Sequence, residues 1–251
     1  MHQHPIISHT PTAAPGSTPD GADQSSSPVN VWSVTTSAGN ANNGGYGGSW
    51  FGNPDGSGGI GGSSVNSWQI YSANPSNIQG DGGSTYASTT FAGGAMSIGQ
   101  TVSINFAMRA IDPANGGNPA GQVGVSLLNS SGDAVNFYIY GGGPGNYFFT
   151  DAGSTGASAG IMGYQYQSAF NIAFTVTGAN TYSAVAGSDS WSGTYNGSLL
   201  GLEVYNNAAG NASDVGFNNL TISSVPEPSR LGVLAGSSVG IIGLRRMLRR
   251  K

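Results

Sequence analysis

Apolar residues recur at every second position in several short segments of this chain, with polar residues between them. The clearest segments are 101–108, 134–140, 170–176 and 200–205. In the second of these, Val135, Phe137 and Ile139 share one parity, which leaves Tyr138 and Tyr140 on the other. A period of two places alternate side chains on opposite faces of a β-strand, so each segment is predicted to bury one face and expose the other.

Turn-forming residues separate these segments. Glycine alone supplies 43 of 251 residues, more than twice the usual ~7%. No segment before residue 224 has a convincing helical period, and about eleven to thirteen short strands are expected. The pattern predicts an all-β fold, a two-sheet antiparallel sandwich of the jelly-roll, concanavalin-like type.

Two local features are predicted within this sandwich. Residues 40–62 are very rich in glycine and are expected to form a long surface loop. In the last strand the spacing of apolar residues changes by one at Asn218–Asn219. An extra residue of this kind predicts a β-bulge.

The C-terminal segment differs from the rest of the chain. The tripeptide Pro226-Glu227-Pro228 precedes an uncharged stretch at 231–244. A basic end follows, formed by Arg245, Arg246, Arg249, Arg250 and Lys251. Continued to residue 248, the stretch would span about 27 Å as a helix, close to the ~30 Å of a bilayer core. We expect a transmembrane helix whose basic end stays in the cytoplasm, with the bulk of the chain on the other side.

The combination of Pro226-Glu227-Pro228, a short apolar helix and a terminal arginine cluster resembles a PEP-CTERM sorting signal. Exosortases, which are membrane cysteine proteases of bacteria that make exopolysaccharide, recognise such signals. The resemblance implies that Pro226, Glu227 and Pro228 are the recognition motif and that cleavage occurs close to it. An ordinary tail anchor is the alternative.

The middle of the chain resembles the lectin- or glucanase-type jelly rolls found ahead of such tails. The phrases that carry this likeness are Trp68-Gln69-Ile70-Tyr71, residues 121–133 and the closing residues 214–220. The chain is therefore expected to divide into three parts. They are a disordered Pro/Ser/Thr-rich arm at 1–28, a β-sandwich ectodomain at 29–223 and the sorting signal at 224–251.

The N-terminal arm shows no apolar segment after a basic one, so no signal peptide is recognised and the export route stays open. The three histidines of the chain, His2, His4 and His9, all lie in this arm. A metal-binding arm is one interpretation, and composition favours disorder instead.

Charge and residue types restrict the chemistry of the ectodomain. Between residues 29 and 225 one arginine stands against eight acidic residues, a net charge of −7, which argues against nucleic-acid binding. The chain has no cysteine, and its histidines lie in the arm, so Cys–His or Ser–His–Asp catalysis and histidine-bound zinc are not expected. Glu203 is the only glutamate of the ectodomain and has no carboxylate beside it in sequence, so a catalytic carboxylate pair would have to assemble through space.

Binding sites are predicted in two places. The aromatic residues Tyr138, Tyr140, Trp191 and Tyr195 are candidates for glycan binding, and the alternative is that they only cover the sheet. Asp214, with Asn211 and Asn218, is a candidate calcium site because calcium prefers oxygen ligands, and the alternative is an aspartate that caps a turn. No other cofactor is expected.

The sequence thus predicts an exported, non-catalytic cell-surface or extracellular-matrix protein. It would begin as a membrane precursor, be cleaved by an exosortase and bind exopolysaccharide. A jelly-roll enzyme that acts on glycans and a purely structural adhesin are the alternatives.

Overall fold

The computed structural model describes residues 7–9, 32–37, 46–52, 67–73, 83–108, 121–141, 145–153, 168–207 and 213–223. These ranges contain 14 strands, all paired antiparallel, and no helix. The strands are β1 (Ile7–His9), β2 (Trp32–Ser37), β3 (Tyr46–Gly52), β4 (Ser67–Ala73), β5 (Ser84–Thr90), β6 (Thr101–Met108), β7 (Gln122–Asn129), β8 (Gly132–Tyr140), β9 (Phe148–Thr150), β10 (Phe170–Gly178), β11 (Thr181–Ala186), β12 (Asp189–Thr194), β13 (Gly201–Asn207) and β14 (Ser213–Ile222).

The strands form two sheets. Sheet A has the order β12-β11-β10-β6-β14-β4-β3, with β1 paired to β14, and sheet B has the order β2-β5-β13-β7-β8-β9. Neighbours within a sheet are often distant in sequence, because the chain crosses repeatedly from one sheet to the other. The fold is a two-sheet antiparallel sandwich of the jelly-roll type, as the alternating pattern predicts.

The core lies between the sheets and is built from the inward parity of each strand. Val102, Ile104 and Phe106 of β6 are fully buried, as are Val125 of β7 and Phe137 of β8. Burial of each such side chain contributes roughly 1.5–3 kcal/mol. The same parity sends the other residues of these strands to the outer faces of the sandwich.

The predicted bulge in the last strand is confirmed. The register of β14 against β6 shifts between Asn218 and Thr221. Asn219 adopts a φ of 54°, a left-handed conformation that asparagine tolerates better than most residues. The bulge lets Leu220 point inward again, as Phe217 does before it.

The prediction of one long loop at 40–62 is wrong for residues 46–52, which form β3 and pair with β4. The number of strands is also higher than the sequence predicts. Strands pair through backbone hydrogen bonds, so a glycine-rich segment can form a strand without any alternation of apolar and polar residues. Glycine also lets a neighbouring backbone come close to the strand, and a pattern of apolar residues does not show this. A Cβ at Gly47 would lie 3.0 Å from the carbonyl oxygen of Ser84.

Part of the predicted organisation lies outside the described residues. This holds for the sorting signal at 224–251 and for the arm at 1–28 apart from the strand β1. None of the described residues belongs to a helix that would cross a membrane.

Candidate functional site: the outer face of sheet B

Five aromatic residues form a continuous cluster on the face of sheet B that is turned away from the core. Tyr138, Phe148 and Tyr205 pack together there, separate from the main core, and Tyr86 and Tyr140 pack against them. We call this set the aromatic strip. Their strands, β5, β13, β8 and β9, follow one another across the sheet with β7 in between.

The rings of the aromatic strip follow one another closely across the strands. The rings of Tyr86 and Tyr205 are stacked, with centroids 6.2 Å apart and an angle of 26° between their planes. Tyr138 lies 6.0 Å from Phe148, and Phe148 lies 5.2 Å from Tyr140. Four strand-to-strand steps separate β5 from β9, so the aromatic strip extends roughly 19 Å.

Exposure differs along the aromatic strip. Tyr205, Tyr138 and Phe148 expose only 5%, 7% and 8% of their surfaces. Tyr86 and Tyr140 are partly exposed. The first three rings therefore lie beneath the surface, and the last two present part of their surface to solvent.

Gly124 makes room for this arrangement at the middle of the sheet. It pairs with Tyr205 on one side and with Tyr138 on the other. A Cβ at this position would lie 2.8 Å from the Tyr205 hydroxyl and 2.9 Å from the Cβ of Tyr138. Because glycine has no side chain, the Tyr205 hydroxyl reaches across β7 and donates a 2.9 Å hydrogen bond to Oδ1 of Asn136 on β8.

A row of polar residues runs beside the aromatic strip. Glu203 of β13 pairs with Ser126 of β7, which pairs with Asn136 of β8. The Ser126 hydroxyl faces two acceptors, Oδ1 of Asn136 at 3.2 Å and the Asp133 carboxylate, which share its single proton. A register shift in β8 next to Asp133 brings this exposed residue to the same face. We call Glu203, Ser126, Asn136 and Asp133 the polar row.

The two carboxyl groups of the polar row hold their protons more tightly than isolated carboxyls do. Desolvation, followed by repulsion from Asp133, raises the pKa of Glu203 from 4.5 to about 7. Partial desolvation of its carboxyl group also raises the pKa of Asp133, and the hydrogen bond from Ser126 opposes this rise. The two carboxyls, 70 residues apart in sequence, therefore interact through space across three strands.

The structure brings together two of the four aromatic residues that the sequence predicts as glycan contacts. Tyr138 and Tyr140 share the aromatic strip, although Tyr138 is buried. Trp191 and Tyr195 belong with the core instead. Trp191 stacks on Phe137 at 5.4 Å, because its parity on β12 turns it inward.

Sequence reasoning missed the other members of the face. Tyr86 and Tyr205 alternate with core residues in their own strands, so their parity is readable, but no pattern shows that β5 and β13 are neighbours. Nothing in the sequence indicates that Asp133 and Glu203 lie on the same face of sheet B.

The predicted calcium site is described only in part. Asn218 is 3% exposed, and neither atom of its side-chain amide has a hydrogen-bond partner. Its Oδ1 atom therefore fits the oxygen ligand that calcium requires. Asn211 and the side chain of Asp214 lie outside the description, and the described residues hold no group of three or more His, Cys, Asp or Glu residues. Calcium binding stays a prediction, which thermal unfolding with and without a chelator would test.

No known protein family and no curated protein matches this sequence. Several solved structures align with much of this chain at low identity. The T. cruzi calreticulin globular domain aligns at 10% identity over 85% of this chain and 95% of its own, with a TM-score of 0.49. The cellulose induced protein Cip1 aligns at 11% identity over 77% and 91%, with a TM-score of 0.48. The carbohydrate binding module CBM66 from Bacillus subtilis aligns at 10% identity over 76% and 95%, with a TM-score of 0.39.

Identities this low concern the fold alone. The two antiparallel sheets and their strand order define the class of the protein as a jelly-roll β-sandwich.

Proposed function

We propose that the sandwich is a non-catalytic binding domain that holds a polysaccharide along the aromatic strip. The observation that carries this proposal is the pair of partly exposed rings, Tyr86 and Tyr140, on one continuous aromatic surface. An extended surface of roughly 19 Å suits a chain ligand better than a single small molecule.

The chemistry of the face fits a sugar chain. A sugar ring presents C–H groups that pack on an aromatic ring, and its hydroxyl groups need hydrogen-bond partners at the edge. The polar row supplies carboxylate and amide groups directly beside the rings. A hydrogen bond to a carboxyl group that is ionised is about twice as strong as a neutral one.

The test compares two ring deletions with a surface control. Tyr86→Ala and Tyr140→Ala are each expected to weaken binding about two- to tenfold, which corresponds to the loss of one aromatic contact. Val185→Ala is the control, because Val185 is 46% exposed on strand β11 of the other sheet. A glycan array followed by titration calorimetry would measure the change. Failure to bind any polysaccharide would favour the structural adhesin instead.

We further propose that the chain is exported and sorted to the cell surface or extracellular matrix by an exosortase. The support is the sequence of the tail: Pro226-Glu227-Pro228, an apolar stretch and a basic end. Mass spectrometry of both termini of the mature protein would test it. A C-terminus near residues 226–229 is expected, and deletion of residues 226–228 is expected to stop processing. An intact Lys251 in the membrane fraction would instead indicate a tail anchor.

One observation favours an enzyme as a second candidate. A carboxylic acid with a pKa of about 7 near a second carboxyl group is the arrangement of a glycosidase acid and its partner, here Glu203 and Asp133. Release of reducing ends from a panel of glucans, lost in Glu203→Gln, would support this candidate. Binding without any hydrolysis would support the non-catalytic domain.

A further inference from the structure

The connection between β12 and β13 contains an asparagine followed by a glycine, Asn196 and Gly197. Both residues are exposed to solvent, and within the described ranges they form the one Asn-Gly pair. Gly197 has a φ of 74°, which glycine adopts without strain. A Cβ at Gly197 would meet nothing nearer than 3.7 Å, so the loop needs glycine for its backbone conformation and not for lack of space. The fold therefore keeps this pair at an open position.

Two groups of this pair can react with each other. The backbone nitrogen of Gly197 can attack the side-chain carbon of Asn196, because the attack closes a small, unstrained ring. A hydrogen bond to either group would hold it away from the other. In the part of the chain that the structure describes, neither the Gly197 N–H nor the Asn196 side-chain amide has a hydrogen-bond partner. Both groups are therefore unrestrained.

A neighbouring side chain acts on the same peptide group. Nδ2 of Asn129 donates a 2.7 Å hydrogen bond to the carbonyl oxygen of Asn196, which shares its peptide bond with the Gly197 nitrogen. When that nitrogen loses its proton, resonance spreads the negative charge to this oxygen. A hydrogen bond to a charged oxygen is about twice as strong as a neutral one. Asn129 is itself fixed, because its Oδ1 accepts a 2.7 Å bond from the backbone N–H of Ser131.

We propose that Asn196 is a site of spontaneous deamidation and that Asn129 promotes the reaction. Hydroxide removes the Gly197 amide proton, and the nitrogen forms a bond to Cγ of Asn196. The bond from Cγ to the side-chain nitrogen then breaks, and this nitrogen leaves as ammonia after taking a proton from water, which returns the hydroxide. Water opens the cyclic imide to aspartate or isoaspartate. The sum is one water consumed and one ammonia released.

The fold limits the consequence to a short exposed segment. The backbone N–H of Tyr195 donates to the carbonyl oxygen of Asn180 at 3.0 Å, and that of Leu200 donates to the carbonyl oxygen of Leu128 at 2.7 Å. The product carries one more negative charge, and isoaspartate also lengthens the backbone by one atom. Because both ends of the loop are anchored, residues 196–198 take up the change and the modified protein stays folded.

Peptide mapping by mass spectrometry tests the proposal on the full-length protein. The protein is incubated in mildly alkaline buffer, folded and in concentrated urea, and the conversion of Asn196 is followed with time. We expect the folded protein to react at least as fast as the unfolded chain. Asn129 is the internal comparison, since both ends of its amide are hydrogen-bonded, and it should react more slowly in the folded protein. A folded rate at Asn196 below the rate in urea would overturn the proposal.

Substitution of Asn129 tests its role in the reaction. Asn129→Asp keeps an acceptor for the Ser131 N–H and replaces the donor to Asn196 by a carboxylate. The folded rate at Asn196 should fall about tenfold, the scale of one hydrogen bond to a charged group, and the rate in urea should not change. Asn129→Ala, which removes the donor without adding charge, should also slow the folded reaction. It keeps the test open if Asn129→Asp does not fold.

Asn171→Asp is the matched control, because it adds the same charge at an exposed position of β10 in the other sheet. Its rate at Asn196 should equal that of the unmodified protein. An equal loss in Asn171→Asp would overturn the role of Asn129, because net charge would then explain the effect. An unchanged or faster reaction in both Asn129 variants would overturn it as well, since the hydrogen bond would then be neutral or protective.

Discussion

Glu203 couples the charge of the outer face to the stability of the fold. Its carboxyl group is half-buried, and its pKa of about 7 in the folded protein compares with an ordinary value of 4.5. The folded state therefore holds this proton over a pH range in which the unfolded chain releases it. Stability contributed by this group is fully present below about pH 4.5 and is lost as the pH rises through about 7.

The first prediction is that Glu203→Gln removes much of this pH dependence. In the unmodified protein, the melting temperature should fall between about pH 4.5 and about pH 7 because of this group. In Glu203→Gln the fall should be shallower, and a remainder is expected because the pKa of Asp133 is also raised. Thermal unfolding across this pH range measures both slopes. Identical slopes would show that Glu203 titrates normally in the folded protein.

The second prediction concerns Gly124, whose missing side chain shapes the aromatic strip. In Gly124→Ala the new methyl group would collide with the backbone carbonyl oxygen of Phe137, which is the nearest atom, and with the Tyr205 hydroxyl and the Cβ of Tyr138. The backbone of β8 and the Tyr205 side chain would both have to shift, which disturbs the hydrogen bond from Tyr205 to Asn136, and overpacking of this kind costs about 1–3 kcal/mol. Urea unfolding measures the change. Gly93→Ala is the matched control, because a Cβ at Gly93 meets nothing within 4 Å.

At the scale of single elements, the sequence predicts well which residues of a strand face the core and which face outward. The bounds of β6 agree with the predicted segment at both ends, and the inward and outward residues of β8 follow their alternation. Strand β3 is missed because Gly47 and Gly48 pair through the backbone and have no parity. Trp191 is misplaced because Ser190, Ser192 and glycine surround it, so the sequence does not indicate which face of β12 is buried.

The third prediction concerns the bulge of β14, where backbone conformation rather than burial selects the residue. Asn219 has a φ of 54°, which a β-branched residue adopts only with strain. Asn219→Val should therefore destabilise the protein by about 1–2 kcal/mol. Asn219→Gly, which relieves the same constraint, should change the stability much less. Equal unfolding free energies for the two variants would mean that the bulge rearranges freely.

At the scale of the whole molecule, the sequence predicts a two-sheet sandwich but not which strands lie next to each other in the sheets. Strand order depends on crossovers between sheets, and parity carries no information about which strands become neighbours. The aromatic strip depends on β5, β13, β8 and β9 lying in one order. Two of the four predicted glycan contacts, Tyr138 and Tyr140, therefore lie on the aromatic strip. That Glu203 and Asp133 share the same face of sheet B is seen only in the structure.

The two sheets are also tied together at one edge, where β9 of sheet B ends beside β11 and β12 of sheet A. Asp151 follows β9 and accepts a 3.0 Å hydrogen bond from the Tyr182 hydroxyl of β11. Its carboxylate also accepts a 3.1 Å bond from the backbone N–H of Thr194 on β12. Tyr182 is buried, and this burial, followed by the charge of Asp151, raises the pKa of its hydroxyl group. One side chain thus satisfies donors from two strands of the opposite sheet.

The fourth prediction follows from this tie. Asp151→Ala should lower the free energy of unfolding by about 3 kcal/mol, because it leaves the buried Tyr182 hydroxyl without its charged acceptor. Urea unfolding measures the loss. Asp189→Ala is the control, because within the described residues the only side-chain hydrogen bond to the Asp189 carboxylate is a long one, 3.4 Å from the neighbouring Ser188 hydroxyl. Equal stability of the two variants would show that the sheets are held by core packing alone. Because the aromatic strip lies on the outer face of sheet B, Asp151→Ala should leave glycan affinity unchanged under folding conditions, which separates a structural tie from a binding residue.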